Sequence, residues 1–337
     1  MRYPAPLSPG DVIGVTSPSS GVPDNLRPRL DVCVEHLRRC GFEVEVGQCM
    51  DGTGPTSAPA ADRAAELTAM LLDPRIRAVV PPWGGELAID LLPLLDFAAI
   101  GDAEPTWLVG YSDTSTLLLP LTLLTGVATL HGPGLMDTPF RVASPLLHWL
   151  DVATAPAGAT LTQGSASHSQ EQWPDFESDP AVTELVLTRP TRWRTLGDGD
   201  VGTLRGRLLG GCLETISMLP GTPYGNLDAF APGDDLLVYV EVAEVGAYTA
   251  ARMLHHLRLA GWFDRATGIL VGRSSAPDSS DYTQADAVRD ALGGLDIPVL
   301  YDVDLGHVPP QLALVNGALA EVAIDPSGAG TLVQHLV

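Results

Sequence analysis

The sequence contains no lysine, and all 19 of its basic residues are arginine. A Schiff-base lysine, a P-loop lysine and a Ser-Lys dyad each require a primary amine, so these three chemistries are excluded. The 41 Asp and Glu residues outnumber the basic residues, so the formal net charge is −22. Such a chain repels nucleic-acid phosphates and anionic membrane surfaces, so we expect neither as a partner.

Metal-binding and membrane-spanning patterns are also missing from the sequence. The four cysteines, Cys33, Cys40, Cys49 and Cys212, have no CxxC spacing and no adjacent histidine pattern, so we expect no metal site and no cofactor. The N-terminal "MRYPAPLSPGD" lacks the apolar core of a signal peptide, and no apolar run reaches the ~18 residues of a bilayer span. We therefore expect a soluble, cytoplasmic protein.

The pattern of apolar residues predicts two domains, in keeping with a length of 337 residues. Over 1–155, runs such as "DVIGVTSP", "IRAVVPPW" and "TWLVGY" alternate with helical patterns, which predicts an α/β fold with a doubly wound parallel sheet. The Ala-, Ser- and Gly-rich segment 156–182 is interpreted as a linker or loop. Residues 183–337 predict a mixed α/β domain, in which "TLRGRLLGGCLETISMLPGTPYG" is interpreted as a glycine-rich turn that opens a helix, and "LALVNGALAEVAI" as a hairpin with an Asn316–Gly317 turn.

The stretch "PTWLVGYSDTSTLLL" carries the first candidate for chemistry, because a buried strand breaks at Gly110 and continues as an apolar helix. A strand-to-helix elbow exposes the hydroxyl of Ser112 and leaves the backbone NH of Asp113 at the helix start, where the dipole favours negative charge. Ser112 is therefore a candidate nucleophile. The alternative, that Ser112 or Asp113 only caps the helix, is equally compatible with this stretch.

A nucleophilic serine needs a base and a carboxylate that orients the base. His307 in "DLGHVPP" is favoured as the base over His131 in "LHGPG", because it follows a strand and precedes two prolines that fix the backbone. Glu241, at the end of the strand "LLVYVE", is the candidate carboxylate, with Glu244 and Glu214 as alternatives. A simple solvated strand end is an equally weighted interpretation of Glu241.

Paired glycines and two linker aromatics complete the set of candidates. Gly84 and Gly85 in "VVPPWGGELAIDLL" allow close approach, so an NH of this pair can join that of Asp113 in an oxyanion hole. The spacing is not the G-x-G-x-x-G dinucleotide fingerprint. Trp173 and Phe176 are interpreted as anchors of the linker on a domain face, with stacking on a ligand as the less favoured alternative.

Taken together, "GYSDTSTLL", "LLGGCLETISMLPGTPYG", "VYVEV" and "DLGHVPPQLALVNGA" resemble the LD-carboxypeptidase family of serine peptidases. This family includes murein tetrapeptide carboxypeptidases and microcin C immunity proteins. The resemblance implies a Ser-His-Glu triad with Ser112 as nucleophile, His307 as general base and acid, and Glu241 as the orienting carboxylate. It also implies an oxyanion hole at Asp113 and the Gly84–Gly85 pair, a site between two domains, and a homodimer.

Within this family, the sequence is more similar to the immunity branch, which cleaves the amide between an amino acid and a modified nucleotide. The resemblance assigns Trp173 to stacking on the nucleotide. Cys212 stands where an asparagine is usual, and Arg273 replaces the lysines that some members use near substrate carboxylates.

Two other functions remain open from the sequence. One is a murein tetrapeptide L,D-carboxypeptidase of peptidoglycan recycling. The other is a two-domain protein that binds a small ligand without chemistry, in which Ser112 is a cap and Glu241 and His307 form a structural pair.

Overall fold

The computed structural model describes residues 1–197, 201–228 and 230–337. In chain order, strands β1 to β16 are Val12–Val15, Glu43–Val46, Ile76–Val79, Trp107–Gly110, Thr129–His131, Thr160–Gly164, His168–Gln170, Leu187–Pro190, Arg194–Thr195, Thr203–Cys212, Leu236–Glu241, Ala266–Gly272, Val299–Val303, Leu314–Asn316, Leu319–Ile324 and Gly330–His335. Helices α1 to α8 are Arg27–Arg39, Ala60–Leu72, Phe97–Asp102, Ser115–Thr125, Trp149–Ala153, Leu213–Ile216, Ala247–Leu259 and Gln284–Leu292. Short 3-10 turns lie at Asp24–Leu26, Ala88–Leu94, Ser112–Thr114, Leu135–Asp137 and Pro223–Gly225.

The first sheet has six strands in the order β14-β5-β4-β3-β1-β2. All neighbours are parallel except β14, which pairs antiparallel with β5. The short apolar runs of β1, β3 and β4 are almost fully buried, as expected for parallel strands covered on both faces. Ligands of such sheets bind beyond the carboxyl ends of the strands, near the place where the strand order reverses. Ser112 and Gly84 follow strands at that end.

The second sheet has eight strands in the order β6-β16-β15-β10-β11-β12-β13-β9. Strands β10 to β13 run parallel, and the outer strands on both sides are antiparallel. Glu241 is the last residue of β11, and Cys212 is the last residue of β10. The predicted fold class, a doubly wound sheet followed by a mixed α/β domain, is confirmed.

Helix α4 lies where the two sheets meet. Its sequence "STLLLPLTLLT" is apolar on nearly every face, and the helix contacts β5 of the first sheet and β10 of the second. At its first turn, the Oγ of Ser115 accepts a hydrogen bond of 3.1 Å from the backbone NH of Cys212. The elbow before α4 is therefore held against the carboxyl end of the second sheet.

Two local predictions are wrong, and both errors have a steric or topological cause. The glycines of "TLRGRLLGGC" lie in the ten-residue strand β10 and not in a turn, because they allow close packing, whereas the helix expected after them is present as α6. A Cβ on Gly210 would overlap the carbonyl oxygen of Tyr239 in β11. The predicted hairpin at Asn316–Gly317 is a tight turn whose flanking strands are not paired: β14 joins the first sheet and β15 the second.

The segment interpreted as a linker or loop contains regular structure. Strand β6 pairs with β16 at the edge of the second sheet, and β7 pairs with β8. These short strands are partly exposed and polar, so they show little of the apolar alternation that identifies a strand. The exact domain boundaries stay a prediction. Within the described ranges, no helix combines the length and apolar character needed to cross a membrane.

Candidate active site

Ser112 occupies a strained backbone position between β4 and α4. Its φ is 58°, in the left-handed region that costs a non-glycine residue about 1–2 kcal/mol. Such strain persists where the surrounding structure imposes it, and it is concentrated at functional sites. Neither the turn at Ser112 nor α4 has a side-chain cap. The interpretation of Ser112 or Asp113 as a helix cap is therefore wrong.

The side chain of Asp113 fixes the strand-to-helix turn at Ser112 through hydrogen bonds. Its carboxylate accepts hydrogen bonds from the Ser19 hydroxyl at 2.6 Å, from the Ala88 backbone NH at 2.8 Å and from the Thr116 hydroxyl at 3.2 Å. The backbone NH of Asp113 belongs to the first turn, whose NH groups have no intrahelical acceptor. The carboxylate thus fixes the loop, while the NH can bind another group.

Gly84 faces this elbow directly. A Cβ on Gly84 would lie 2.8 Å from the backbone nitrogen of Asp113 and 3.0 Å from the Oγ of Ser112, so a side chain would fill the space above both. Gly85 has a φ of 144°, and a Cβ there would overlap the hydroxyls of Ser19 and Ser20. The predicted glycine pair therefore lines the space beside the Ser112 hydroxyl.

Glu241 and His307 form a hydrogen-bonded pair. The Nδ1 of His307 lies 2.8 Å from the Oε2 of Glu241, whose side chain is completely buried, while the imidazole is 22% exposed. Gly306 has a φ of 92°, and a Cβ on it would lie 2.5 Å from the same Oε2. A glycine is needed before the histidine because the carboxylate is so close.

The pKa values of the pair are shifted in opposite directions. Burial alone would lower the pKa of His307, but the charge and the hydrogen bond of Glu241 outweigh it and raise the pKa above its ordinary value. Burial alone would raise the pKa of Glu241, but the charge and hydrogen bond of His307 lower it. The pair therefore favours an ionised carboxylate behind an imidazole that titrates above 6.5.

The alternatives to these two residues lie in other environments. His131 is buried, burial lowers its pKa to about 4, and neither ring nitrogen has a partner among the described residues. One carboxylate oxygen of Glu214 accepts hydrogen bonds from three consecutive backbone NH groups, at 243–245. Glu244 is exposed. Of the candidates, only Glu241 and His307 are paired with each other.

Ser112 and His307 line one cavity of about 350 Å³ between the two sheets. The described residues show no hydrogen bond between the Ser112 hydroxyl and the imidazole, and such bonds are often long or poorly aligned without substrate. The remaining lining residues come from the ends of β3, β10 and β11 and from the start of α4: Gly85, Glu86, Ile89, Asp113, Thr116, Cys212, Glu214, Thr215, Met218, Ala243 and Glu244.

Two features of this site were missed at the sequence level: the contact of Tyr111 with His307, and the structural role of Glu214, which was considered only as an alternative orienting carboxylate. The ring of Tyr111 lies 4.9 Å from the imidazole of His307, and its hydroxyl donates a hydrogen bond of 3.1 Å to Asp137. Glu214 fixes the loop after β11, as described above, and its Oε2 accepts a hydrogen bond from the thiol of Cys212. The position of Tyr111 next to Ser112 in the sequence could have indicated that its ring lies near the site. No sequence signal could have indicated the contacts of Glu214, because they depend on how the strands pair.

Three candidates from the sequence lie outside the cavity of Ser112. Trp173 is 43% exposed and lines a separate groove with Phe140 and Pro310. Phe176 packs against the buried apolar residues around the first sheet, and the guanidinium of Arg29 lies 4.4 Å above its ring, so this aromatic anchors the segment as interpreted.

Arg273 is buried and forms an ion pair of 2.7 Å with Asp304. It also donates hydrogen bonds to the carbonyl oxygens of Val308 and Pro310, which directly follow His307 in the same loop. Its role in binding a substrate carboxylate stays a prediction, as does the stacking role of Trp173.

A strained serine beside a buried carboxylate–imidazole pair, on a doubly wound sheet, is the architecture of a serine-type hydrolytic enzyme. The chain belongs to the LD-carboxypeptidase family: residues 13–132 match the LD-carboxypeptidase N-terminal domain and residues 205–322 the LD-carboxypeptidase C-terminal domain. The resemblance seen in the sequence is thereby confirmed, and the chain is a serine carboxypeptidase-type enzyme.

Individual relatives are similar over nearly the whole chain. The Microcin C7 self-immunity protein MccF of Escherichia coli is 29% identical, covering 98% of this chain and 96% of its own. The probable murein peptide carboxypeptidase of Bacillus subtilis is 27% identical, covering 94% and 90%. The solved structure of MccF in complex with aspartyl sulfamoyl adenosine has a TM-score of 0.82 at 26% identity, covering 98% and 97%.

Proposed function

We propose that this protein hydrolyses an amide bond with a Ser112–His307–Glu241 triad. The observation that carries the proposal is the 2.8 Å pair between His307 Nδ1 and Glu241, in which His307 lines the same cavity as the strained Ser112. A binding protein without chemistry would need neither the left-handed serine nor the buried carboxylate behind an imidazole.

The reaction follows from the two nitrogens of the imidazole. Glu241 accepts a hydrogen bond from the Nδ1–H, so the other nitrogen of His307 can take the proton of the Ser112 hydroxyl as its oxygen attacks the amide carbonyl. The backbone NH groups of Asp113 and of the Gly84–Gly85 pair stabilise the oxyanion. His307 then protonates the leaving amine, and water, activated by the same nitrogen, hydrolyses the ester on Ser112.

We propose an aminoacyl-nucleotide amide as the substrate, in preference to a murein tetrapeptide. Three glutamates, Glu86, Glu214 and Glu244, line the cavity, and no arginine does so among the described residues. Burial raises the pKa of Glu86, and the neighbouring carboxylates Glu244, Asp113 and Glu214 raise it further, which indicates a crowded negative environment.

This negative charge distinguishes the two substrate classes. An aminoacyl amide has an ammonium group on the carbon next to the scissile carbonyl, whereas a murein tetrapeptide releases D-Ala with its carboxylate close to the scissile bond. Glutamates attract the first group and repel the second over a few ångströms. The MccF complex with aspartyl sulfamoyl adenosine, in a related protein, agrees with the first class.

The test compares aminoacyl sulfamoyl adenosines with a murein tetrapeptide ending in D-Ala, for the wild type and for Ser112→Ala. We expect release of the amino acid from the adenosine derivative by the wild type only. Release of D-Ala alone would favour the murein activity. If neither substrate is cleaved and a serine-directed phosphonate fails to label the wild type, the protein is a binding protein and the proposal is wrong.

We also propose that the protein acts in the cytoplasm as a homodimer, as the family resemblance implies. Light scattering coupled to size-exclusion chromatography measures the assembly directly, and a mass near 35.4 kDa would contradict the dimer.

A further inference from the structure

A second cavity, of about 360 Å³, lies at the carboxyl ends of β12 and β13. We call it the arginine pocket, because four arginines line it together with Thr191 and Asp302: Arg189, Arg192, Arg194 and Arg273. It shares no lining residue with the cavity of Ser112. A chain with a net charge of −22 thus collects four of its 19 basic residues around one small concave surface.

The charges in the arginine pocket are only partly compensated. Arg194 pairs with Asp302 at 3.1 Å, and Arg273 pairs with Asp304 at 2.7 Å. In the part of the chain that the structure describes, the guanidinium groups of Arg189 and Arg192 have no ion-pair or hydrogen-bond partner. The lining therefore has two unpaired positive charges facing a common space.

The pocket also offers hydrogen-bond donors. The Oγ1 of Thr191 accepts a hydrogen bond of 3.2 Å from Arg273, so its own proton remains available to an incoming acceptor. Burial raises the pKa of Asp302, although Arg194, Arg273 and Arg189 act in the opposite direction.

Guanidinium groups that converge from several strands match a compact anion with several oxygens, because each planar fork can bind two oxygens at once. We propose that the arginine pocket binds a phosphate-class dianion, either inorganic phosphate or the phosphoryl group of a small phosphomonoester. Arg189 and Arg192 supply the charge that is not used elsewhere, and the Thr191 hydroxyl supplies a neutral donor.

The proposed site is physically connected to the catalytic loop but does not depend on the proposed reaction. Arg273 forms one wall of the pocket, and its other hydrogen bonds hold the carbonyl groups of Val308 and Pro310 beside His307. A dianion in the pocket would therefore contact the residue that anchors this loop. Anion binding can be measured in Ser112→Ala, which separates it from turnover.

The test is calorimetric titration at low ionic strength with inorganic phosphate and, separately, with methyl phosphate, a phosphomonoester without the nucleoside that the cavity of Ser112 could bind. The variant is Arg189→Ala/Arg192→Ala, and the control is Arg38→Ala/Arg252→Ala, which removes two exposed arginines outside the pocket and changes the net charge equally. We expect wild type and control to bind one anion with equal affinity. We expect the pocket variant to bind at least about tenfold more weakly, because two charge-assisted hydrogen-bond donors are lost.

The two ligands separate the two sources of the phosphoryl group. Binding of both ligands with equal loss in the pocket variant identifies phosphate itself as the ligand, and binding of methyl phosphate alone, with the same loss, identifies a phosphomonoester. The proposal is overturned if the wild type binds neither ligand. It is equally overturned if the pocket variant binds like the control, since the anion would then respond only to overall charge.

Discussion

The cavity of Ser112 and the arginine pocket are similar in size, about 350 and 360 Å³, and both open at the carboxyl ends of strands in the second sheet. Their linings carry opposite charge: three glutamates in the first and four arginines in the second. Charges further away than the Debye length of about 8–10 Å are largely screened in physiological salt. The net charge of the chain therefore does not describe the electrostatic environment of either cavity. The charged residues that line each cavity determine it.

A single loop separates the two charge environments. His307 faces the first cavity, while Asp304, in the same loop, pairs with Arg273 in the wall of the second. Substitutions in one cavity should therefore leave the other intact, provided that they do not disturb this loop.

Replacing Ser112 with alanine tests this separation with the largest expected effect. We expect turnover of an aminoacyl sulfamoyl adenosine to fall by roughly four orders of magnitude, because the nucleophile is lost. Alanine at the same left-handed position is strained like serine, so the melting temperature should be unchanged. Phosphate binding in the arginine pocket should also be unchanged by calorimetry. Turnover above about a tenth of wild type would contradict the role of Ser112.

Glu241→Gln should cause the next largest loss, roughly a thousandfold in turnover. The glutamine amide can donate to Nδ1 of His307, which then has no proton there and places it on the nitrogen that must accept the serine proton. The measurement is steady-state hydrolysis, with phosphate binding as the control for the other cavity. Equal turnover by Glu241→Gln and wild type would show that the carboxylate has a structural role only.

Gly84→Ala should reduce kcat by roughly a hundredfold while changing KM little, because the new methyl group occupies the space beside the Asp113 NH and the Ser112 hydroxyl. Gly101→Ala is the matched control, since a Cβ there meets no atom closer than 3.5 Å. We expect the control to keep full activity. Comparable kcat values for the two variants would exclude Gly84 from the oxyanion hole.

The pH dependence of kcat/KM should follow the titration of His307. The imidazole must be neutral to accept a proton, and its pKa is raised above 6.5, so activity should fall by about tenfold per pH unit below a midpoint higher than 6.5. In Glu241→Gln the charge that raises the pKa is absent, and the midpoint of the residual activity should move to lower pH. An acid limb centred below 6.5 in the wild type would contradict the assignment.

Glu86→Gln/Glu244→Gln should have the smallest effect, a decrease of about three- to tenfold in kcat/KM for aminoacyl substrates, because exposed charges act weakly through water. The control Glu35→Gln/Glu43→Gln removes the same charge from exposed positions away from the cavity. Activity on a murein tetrapeptide should rise or stay constant in the cavity variant. Parallel changes in both double variants would assign the effect to net charge.

Local sequence signals made Ser112, Glu241 and His307 candidates because each stands where regular structure is interrupted or ends, and the family resemblance implied their roles. Ser112 follows the break at Gly110, Glu241 ends an apolar strand, and His307 lies between a glycine and two prolines. Such signals are local and can be found by inspection of one chain.

Features that depend on distant pairing could not be found in this way. From the sequence alone Gly210 is typical of a turn, and only the structure shows that it packs against the backbone of Tyr239 in the neighbouring strand. The hydrogen bonds of Glu214 form only because β10 and β11 are neighbours. The arginine pocket joins the segment around residue 190 to the end of β12, which are remote in the sequence.

The turn at Asn316–Gly317 places β14 in the first sheet although it belongs to the C-terminal part of the chain. An N-terminal fragment ending before residue 183 would expose an unpaired edge at β5, which is a template for aggregation. A chimera that takes its two halves from different parents would join β5 of one to β14 of the other. In such a chimera, the contact between the two parental sequences therefore includes a pair of strands within the first sheet, in addition to the interface between the domains.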